Sequence, residues 1–248
     1  MTILNCDAKT GVCSLPESAE QSASNQSATT AAPTAAATVR YIGDPMCSWC
    51  WAIAPVLKEL LAYCERHGLN FSVHVGGLRP GGGDAWNPAF KAFLRQEWET
   101  IHRVSGQPFG FSILETADFN YDTEPACRAI VTMKLLQASS QTVLAFFSGI
   151  QRQFYVDGAD PKAAEFYRAL CAEAGVSYET FLKVFLSDEA KDATLQEFQR
   201  CRRWGVRGFP SIILDVNGSV TQLASGFTTS AELIARLESA LSDASKTS

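Results

Sequence analysis

Much that would announce a function is scarce in this sequence. It has only three histidines, His67, His74 and His102, and their positions fit neither a metal-ligand nor a catalytic-triad spacing. Charge of one sign is also lacking: 21 basic residues stand against 26 acidic ones, a net of −5. That balance gives no electrostatic claim on nucleic acid or on anionic lipid. No apolar run approaches the ~20 residues that a membrane-spanning helix needs. The glycine-rich stretch 76–83 lacks the Gly-Lys-Ser/Thr ending of a phosphate loop, which argues against nucleotide binding. The first nine residues, MTILNCDAK, have no basic segment and no apolar core of ~7–15 residues, so they do not read as a secretory signal. The expected location is the cytoplasm, where paired cysteines are more often catalytic or metal-binding than structural.

Cysteine is what the sequence has in quantity. There are eight, at 6, 13, 47, 50, 64, 127, 171 and 201. Zinc would need four ligands, and neither a second C-x-x-C nor a histidine pair supplies them, so no metal site is expected.

Composition divides the chain. Residues 14–38 hold eight Ala, five Ser and four Thr, with Leu15 as the single large aliphatic. A segment of this kind buries too little apolar surface to offset its ordering entropy and reads as a flexible linker. Residues 1–13 are too few to fold alone, so 1–38 is an arm plus linker. From Val39 the pattern becomes that of a folded domain. Val39-Arg40-Tyr41-Ile42-Gly43 reads as a buried strand. A helix follows from Cys47 to about His67, ended by Gly68 and kinked by Pro55. Phe71-Ser72-Val73-His74-Val75 alternates as a second strand.

Residues 86–204 carry no strand signal but repeated helix starts, at Thr123-Glu124-Pro125, Asp160-Pro161, Ser177 and Ser187. Strand signals return at 211–215 and 219–223, on either side of the hairpin dipeptide Asn217-Gly218. A final helix opens at Thr229, with Glu232 completing a capping box. The order β-α-β, helical block, β-β-α predicts an α/β fold. Its mixed four-stranded sheet comes from 39–85 and 205–248, with 86–204 as an all-helical insertion.

Cys47-Ser48-Trp49-Cys50 directly follows a strand and opens a helix. There the free N–H groups and the helix dipole favour a thiolate, which predicts a Cys47 pKa below ~8.5. Cys50, one turn further in, is close enough to resolve a mixed disulfide formed at Cys47. Gly208-Phe209-Pro210 stands immediately before the third strand, and in this element order the proline reads as a cis residue.

These residues together resemble a thioredoxin fold, and the insertion resembles its DsbA-type branch. Three strings are similar to the FrnE-like predicted protein-disulfide isomerases: Asp44-Pro-Met-Cys-Ser-Trp-Cys-Trp51, Gly-Gly-Leu-Arg-Pro at 76–80, and Tyr-Asp-Thr-Glu-Pro-Ala-Cys-Arg at 121–128. The resemblance implies an attacking thiolate at Cys47, a resolving thiol at Cys50, and Pro210 as the cis-proline facing them. It also implies that the Phe209 backbone pairs with an extended substrate peptide. Ser48-Trp49 stands where DsbA has Pro-His, so no imidazole supports the thiolate. The expected couple is therefore less oxidising than DsbA's ~−120 mV.

The remaining cysteines fall into two groups. Cys64, Cys127, Cys171 and Cys201 read as buried core residues, with Cys127 near the site through its string. Cys6 and Cys13 lie in the polar arm, where packing does not account for them. The 33 residues between Cys13 and Cys47 span roughly 30 Å, enough to bring them to Cys47 as an accessory, mobile redox pair. Trp49 and Trp51 are expected to form an apolar substrate surface beside Cys50, at least one of them free to pack inward instead. Arg79 reads as a solvated surface residue, with a carboxylate partner as the alternative.

The implied function is a thiol–disulfide oxidoreductase or isomerase acting on thiol- or disulfide-containing proteins. No cofactor is called for beyond glutathione as a candidate co-substrate. The alternatives are a glutathione-dependent small-molecule isomerase or transferase on the same scaffold, which has no need of Cys50, and a non-catalytic peptide-binding module.

Overall fold

The computed structural model describes residues 5–14 and 37–246. Most of the segment read as a linker, residues 15–36, lies outside the described residues. The chain opens with two short strands, β1 (Asn5–Asp7) and β2 (Val12–Ser14), then β3 (Thr38–Gly43). Helices α1 (Ser48–Ala52) and α2 (Ala54–Arg66) lead to β4 (Asn70–Val75). The insertion holds α3 (Pro88–Ser105), α4 (Glu124–Leu135), α5 (Ser140–Tyr155), α6 (Arg168–Glu173), α7 (Tyr178–Phe185) and α8 (Asp188–Arg203). The chain returns through β5 (Gly208–Phe209), β6 (Ser211–Val216), β7 (Ser219–Ser225) and α9 (Ser230–Lys246). The expected mixed four-stranded sheet and the all-helical insertion are both present.

The main sheet runs β4-β3-β6-β7, with β3 parallel to β4 and antiparallel to β6. Central β3 is buried along most of its length, as a strand covered on both faces must be. The β6–β7 turn takes positive φ at both Asn217 (53°) and Gly218 (85°), the conformation this dipeptide favours. The β3–β4 crossover helix is broken at Ile53. Pro55 has no N–H to offer the carbonyl of Trp51, and Gln107 Nε2 donates to that oxygen instead, at 2.8 Å. Tyr63 of α2 donates to Glu238 of α9 at 2.9 Å, joining the two helices.

Two of the insertion's expected helix starts behave differently. Ser177 and Ser187 cap α7 and α8 by accepting from Thr180 N and Ala190 N, as their spacing predicts. Thr123 precedes α4 but does not cap it, because its hydroxyl accepts from Arg79 N, 44 residues away. Asp160-Pro161 opens no helix: Asp160 accepts from Lys162 N in a local turn, and a 3-10 turn begins only at Ala164.

The free edge of β4 is sealed by α8. Val75 N donates to Glu197 Oε1 at 3.0 Å, and Cys201 Sγ donates to Val75 O at 3.4 Å. Burial alone would raise the Glu197 carboxyl, but hydrogen bonding from His74 and the Lys134 ammonium at 2.5 Å hold it down, to about 2.

A second, smaller sheet has the order β1-β2-β5. The arm is therefore not a loose tail. It is a hairpin closed by a Cys6–Cys13 disulfide and paired with β5.

Candidate active site

Cys47 is the N-cap of α1, in extended backbone (φ −90°, ψ 119°), and its carbonyl accepts from Cys50 N at 2.9 Å. Both thiols are free, and both are 0% exposed. The Phe209–Pro210 peptide bond is cis, and Cys47 Sγ donates to the Phe209 carbonyl oxygen at 3.8 Å. The structure thus brings Cys47, Cys50, Phe209 and Pro210 together from two ends of the chain. The Phe209 ring fills the space left by the missing side chain of Gly76; any Cβ there would overlap it.

The thiol chemistry departs from expectation. Burial pushes Cys47 well above the usual thiol range, and its interactions with Cys50 and the nearby Asp44 charge add to the rise. The helix start favours a thiolate, yet complete loss of solvent outweighs it. The arm packs against the same region. A Cβ at Gly11 would lie 2.7 Å from Phe227 Cβ and 3.2 Å from Trp49 Cε3, so the hairpin turn rests directly on the site's aromatic wall.

The tryptophans likewise differ from an open apolar surface. Trp51 packs inward, its indole donating to Pro108 O at 2.9 Å. Trp49 is 1% exposed beneath the hairpin, its ring 6.0 Å from that of Phe227. Arg79 is not a solvated residue either: it pairs with Asp84, lies 5.7 Å over the Phe90 ring, and is lowered to about 10 by burial.

Two residues that sequence reasoning missed lie at the centre. Asp44 is fully buried, and its carboxylate accepts from Met46 N (2.8 Å), Leu78 N (2.6 Å) and Cys127 Sγ (3.4 Å). One side chain therefore ties together all three strings singled out in the sequence. Burial raises its pKa, and these hydrogen bonds together with one from Thr123 oppose the rise. The available signal was the shared presence of the strings, which pointed to one structural node. Tyr41 is the second. Its buried hydroxyl has no nitrogen or oxygen partner and stands beside the Cys50 thiol, which with burial raises it well above the usual phenol range.

The glycine loop 76–83 is pinned by side chains rather than shaped around a phosphate: Gly81 N donates to Asp122 and Gly83 N to Asn120. Cys64 and Cys171 are buried thiols, each raised by burial to about 11. Cys127 and Cys201 are buried as well, and they use their S–H groups as donors. His67 Nδ1 donates locally to Tyr63 O, and His102 Nδ1 to Gln107 O. Among the described residues no group of three or more His, Cys, Asp or Glu stands together as a metal site, and no helix is long and apolar enough to cross a membrane.

A candidate protein disulfide isomerase from Nitrosomonas europaea matches at a TM-score of 0.75 and 33% identity, over 84% of this chain and 98% of that one. The cytosolic disulfide reductase DsbM from Pseudomonas aeruginosa matches at 0.66 and 27%, over 82% and 98%. A 2-hydroxychromene-2-carboxylate isomerase shares the fold at 0.55 and 12% identity, over 85% and 97%. No protein of curated function matches the chain. The family model for the DSBA-like thioredoxin domain covers residues 38–241, and the chain belongs to that family.

Proposed function

We propose that the protein is a FrnE-like thiol–disulfide oxidoreductase that exchanges disulfides with protein cysteines through Cys47 and Cys50. The observation that carries this reading is a free dithiol at a helix start, 3.8 Å from the carbonyl of the residue before a cis-proline. That residue, Phe209, sits on a short strand whose backbone is able to align a substrate peptide as an added strand. In the reductive direction Cys47, once deprotonated, attacks one sulfur of a substrate disulfide; that bond breaks, the other substrate sulfur leaves as a thiolate and is protonated, and a mixed disulfide remains. Cys50 then attacks Cys47 Sγ and releases the substrate thiol, leaving Cys47–Cys50 oxidised.

Glutathione is the proposed reductant that regenerates the pair; DsbM, a cytosolic reductase, has also been solved with GSH. The cytosol is the proposed compartment, where thiols are kept reduced. The presence of Cys50 disfavours a glutathione-dependent small-molecule isomerase, which has no resolving step. Insulin reduction with glutathione tests the reading. Cys47→Ala is expected to lose more than roughly a hundredfold in rate, since the attacking sulfur is gone. Activity retained in Cys47→Ala, or detected only with a small electrophile, would sink it.

A further inference from the structure

The hairpin of the arm occupies the very edge at which a substrate peptide would be aligned. Strand β2 pairs antiparallel with β5, with Cys13 opposite Phe209 and Ser14 opposite Gly208. Paired residues in such a ladder have Cα atoms roughly 5 Å apart, and the Phe209 carbonyl itself lies 3.8 Å from Cys47 Sγ. Val12 presses on Gly208, where a Cβ would lie 2.5 Å from Val12 Cγ1. Cys13 is 1% exposed, whereas its partner Cys6 is only half-buried. Cys6–Cys13 is a disulfide and Cys47 and Cys50 are thiols, so an oxidised pair and a reduced pair stand one backbone apart.

We propose that the arm is a built-in substrate, and that Cys47 and Cys50 reduce the Cys6–Cys13 disulfide within the same chain. Cys47 gives up its proton to solvent and attacks Cys13 Sγ. The Cys6–Cys13 bond breaks, and Cys6, the more solvated sulfur, leaves as a thiolate and takes up a proton. Cys50 then loses its proton and attacks Cys47 Sγ, and Cys13 leaves and is protonated. Two electrons and two protons pass from the Cys47/Cys50 pair to the arm, with no further reactant. Two strands of three residues form a hairpin that is marginal without a cross-link. Reduction therefore loosens the arm and frees the Phe209 edge for an external peptide. Because Cys47 is held as a thiol under the docked arm, the exchange accelerates as pH rises.

This inference rests on Cys47 and Cys50 being the exchanging pair, and the test separates the two. Full-length protein with the arm oxidised is exposed to glutathione, quenched in acid, alkylated and mapped by mass spectrometry. In Cys47→Ser the reduction of Cys6–Cys13 is expected to slow at least about fivefold, since the in-chain thiol is gone and external thiol has only the half-buried Cys6 sulfur to attack; a smaller change overturns the proposal. In Cys50→Ser, a Cys47–Cys13 linkage with Cys6 free is expected by about pH 9, where thiols ionise, and its absence overturns the proposal as well. If insulin reduction still depends on Cys47 while these signatures fail, only the arm's role falls. If wild-type protein does not reduce insulin at all, the functional reading falls first.

Discussion

Two strand edges flank this site, and they are closed in opposite ways. The β4 edge is closed by α8, through Glu197 on the Val75 amide and Cys201 on its carbonyl. That closure is anchored by a buried ion pair with Lys134 and by His74. The β5 edge is closed by a hairpin whose contacts are backbone pairing and the bodies of Gly11 and Val12. The first closure buries a charge that becomes costly if its partners are removed. The second uses groups that water, or another peptide, satisfies equally well. The β4 edge is held by side chains that must stay in place, and the β5 edge by backbone pairing that another strand can replace.

The largest effect is expected where the permanent edge is broken. Glu197→Ala strands the Val75 amide and the Lys134 ammonium and should cost about 2–3 kcal/mol in denaturant melts. Glu197 is depressed to about 2, so its contribution is present above the usual carboxylate range and is lost as pH falls towards 2. Glu197→Gln should correspondingly flatten the acid limb of a stability–pH curve; an unchanged limb would contradict the role given to this carboxylate.

The exchangeable edge should respond without global unfolding. Gly11 has φ +65° and no room for a side chain. Gly11→Val should therefore weaken docking and raise the Cys47 alkylation rate at neutral pH about tenfold, the equivalent of the 1–2 kcal/mol strain of a left-handed residue. The melting temperature should stay near wild type, and an alkylation rate that does not move would break the comparison. With the arm docked, alkylation of Cys47 should climb with pH to beyond about pH 9, because burial raises the thiol. A plateau near neutrality would mean that the hairpin does not cover the sulfur in solution. The smallest effect belongs to Asp44. Asp44→Asn removes the charge that opposes the thiolate, and Cys47 should react roughly threefold faster at neutral pH, read from the same alkylation profile.

What could be read from sequence was mostly local. Ser177, Ser187, Asn217-Gly218 and the Thr229–Glu232 box act within a few residues, and each does in the fold what its spacing predicts. The break before Pro55 was legible for the same reason, though not that Gln107 would take the freed carbonyl. Thr123 was misjudged because its partner lies 44 residues away on the glycine loop, and Arg79 because its burial over Phe90 beside Asp84 depends on how that loop folds back on the insertion. Trp51 was misplaced because its inward turn depends on Pro108, which local pattern does not connect to it.

By itself the sequence determined the C-x-x-C at the start of a helix, the proline before a strand, the element order and a family resemblance that the match over residues 38–241 bears out. These follow from backbone preferences and short-range spacing. Only the tertiary structure decided that Asp44 ties three separate strings into one node, that burial holds the Cys47 thiol protonated, and that Cys13 lies opposite Phe209. Burial and strand pairing between distant segments depend on the whole chain's packing, and no local period in the sequence encodes them.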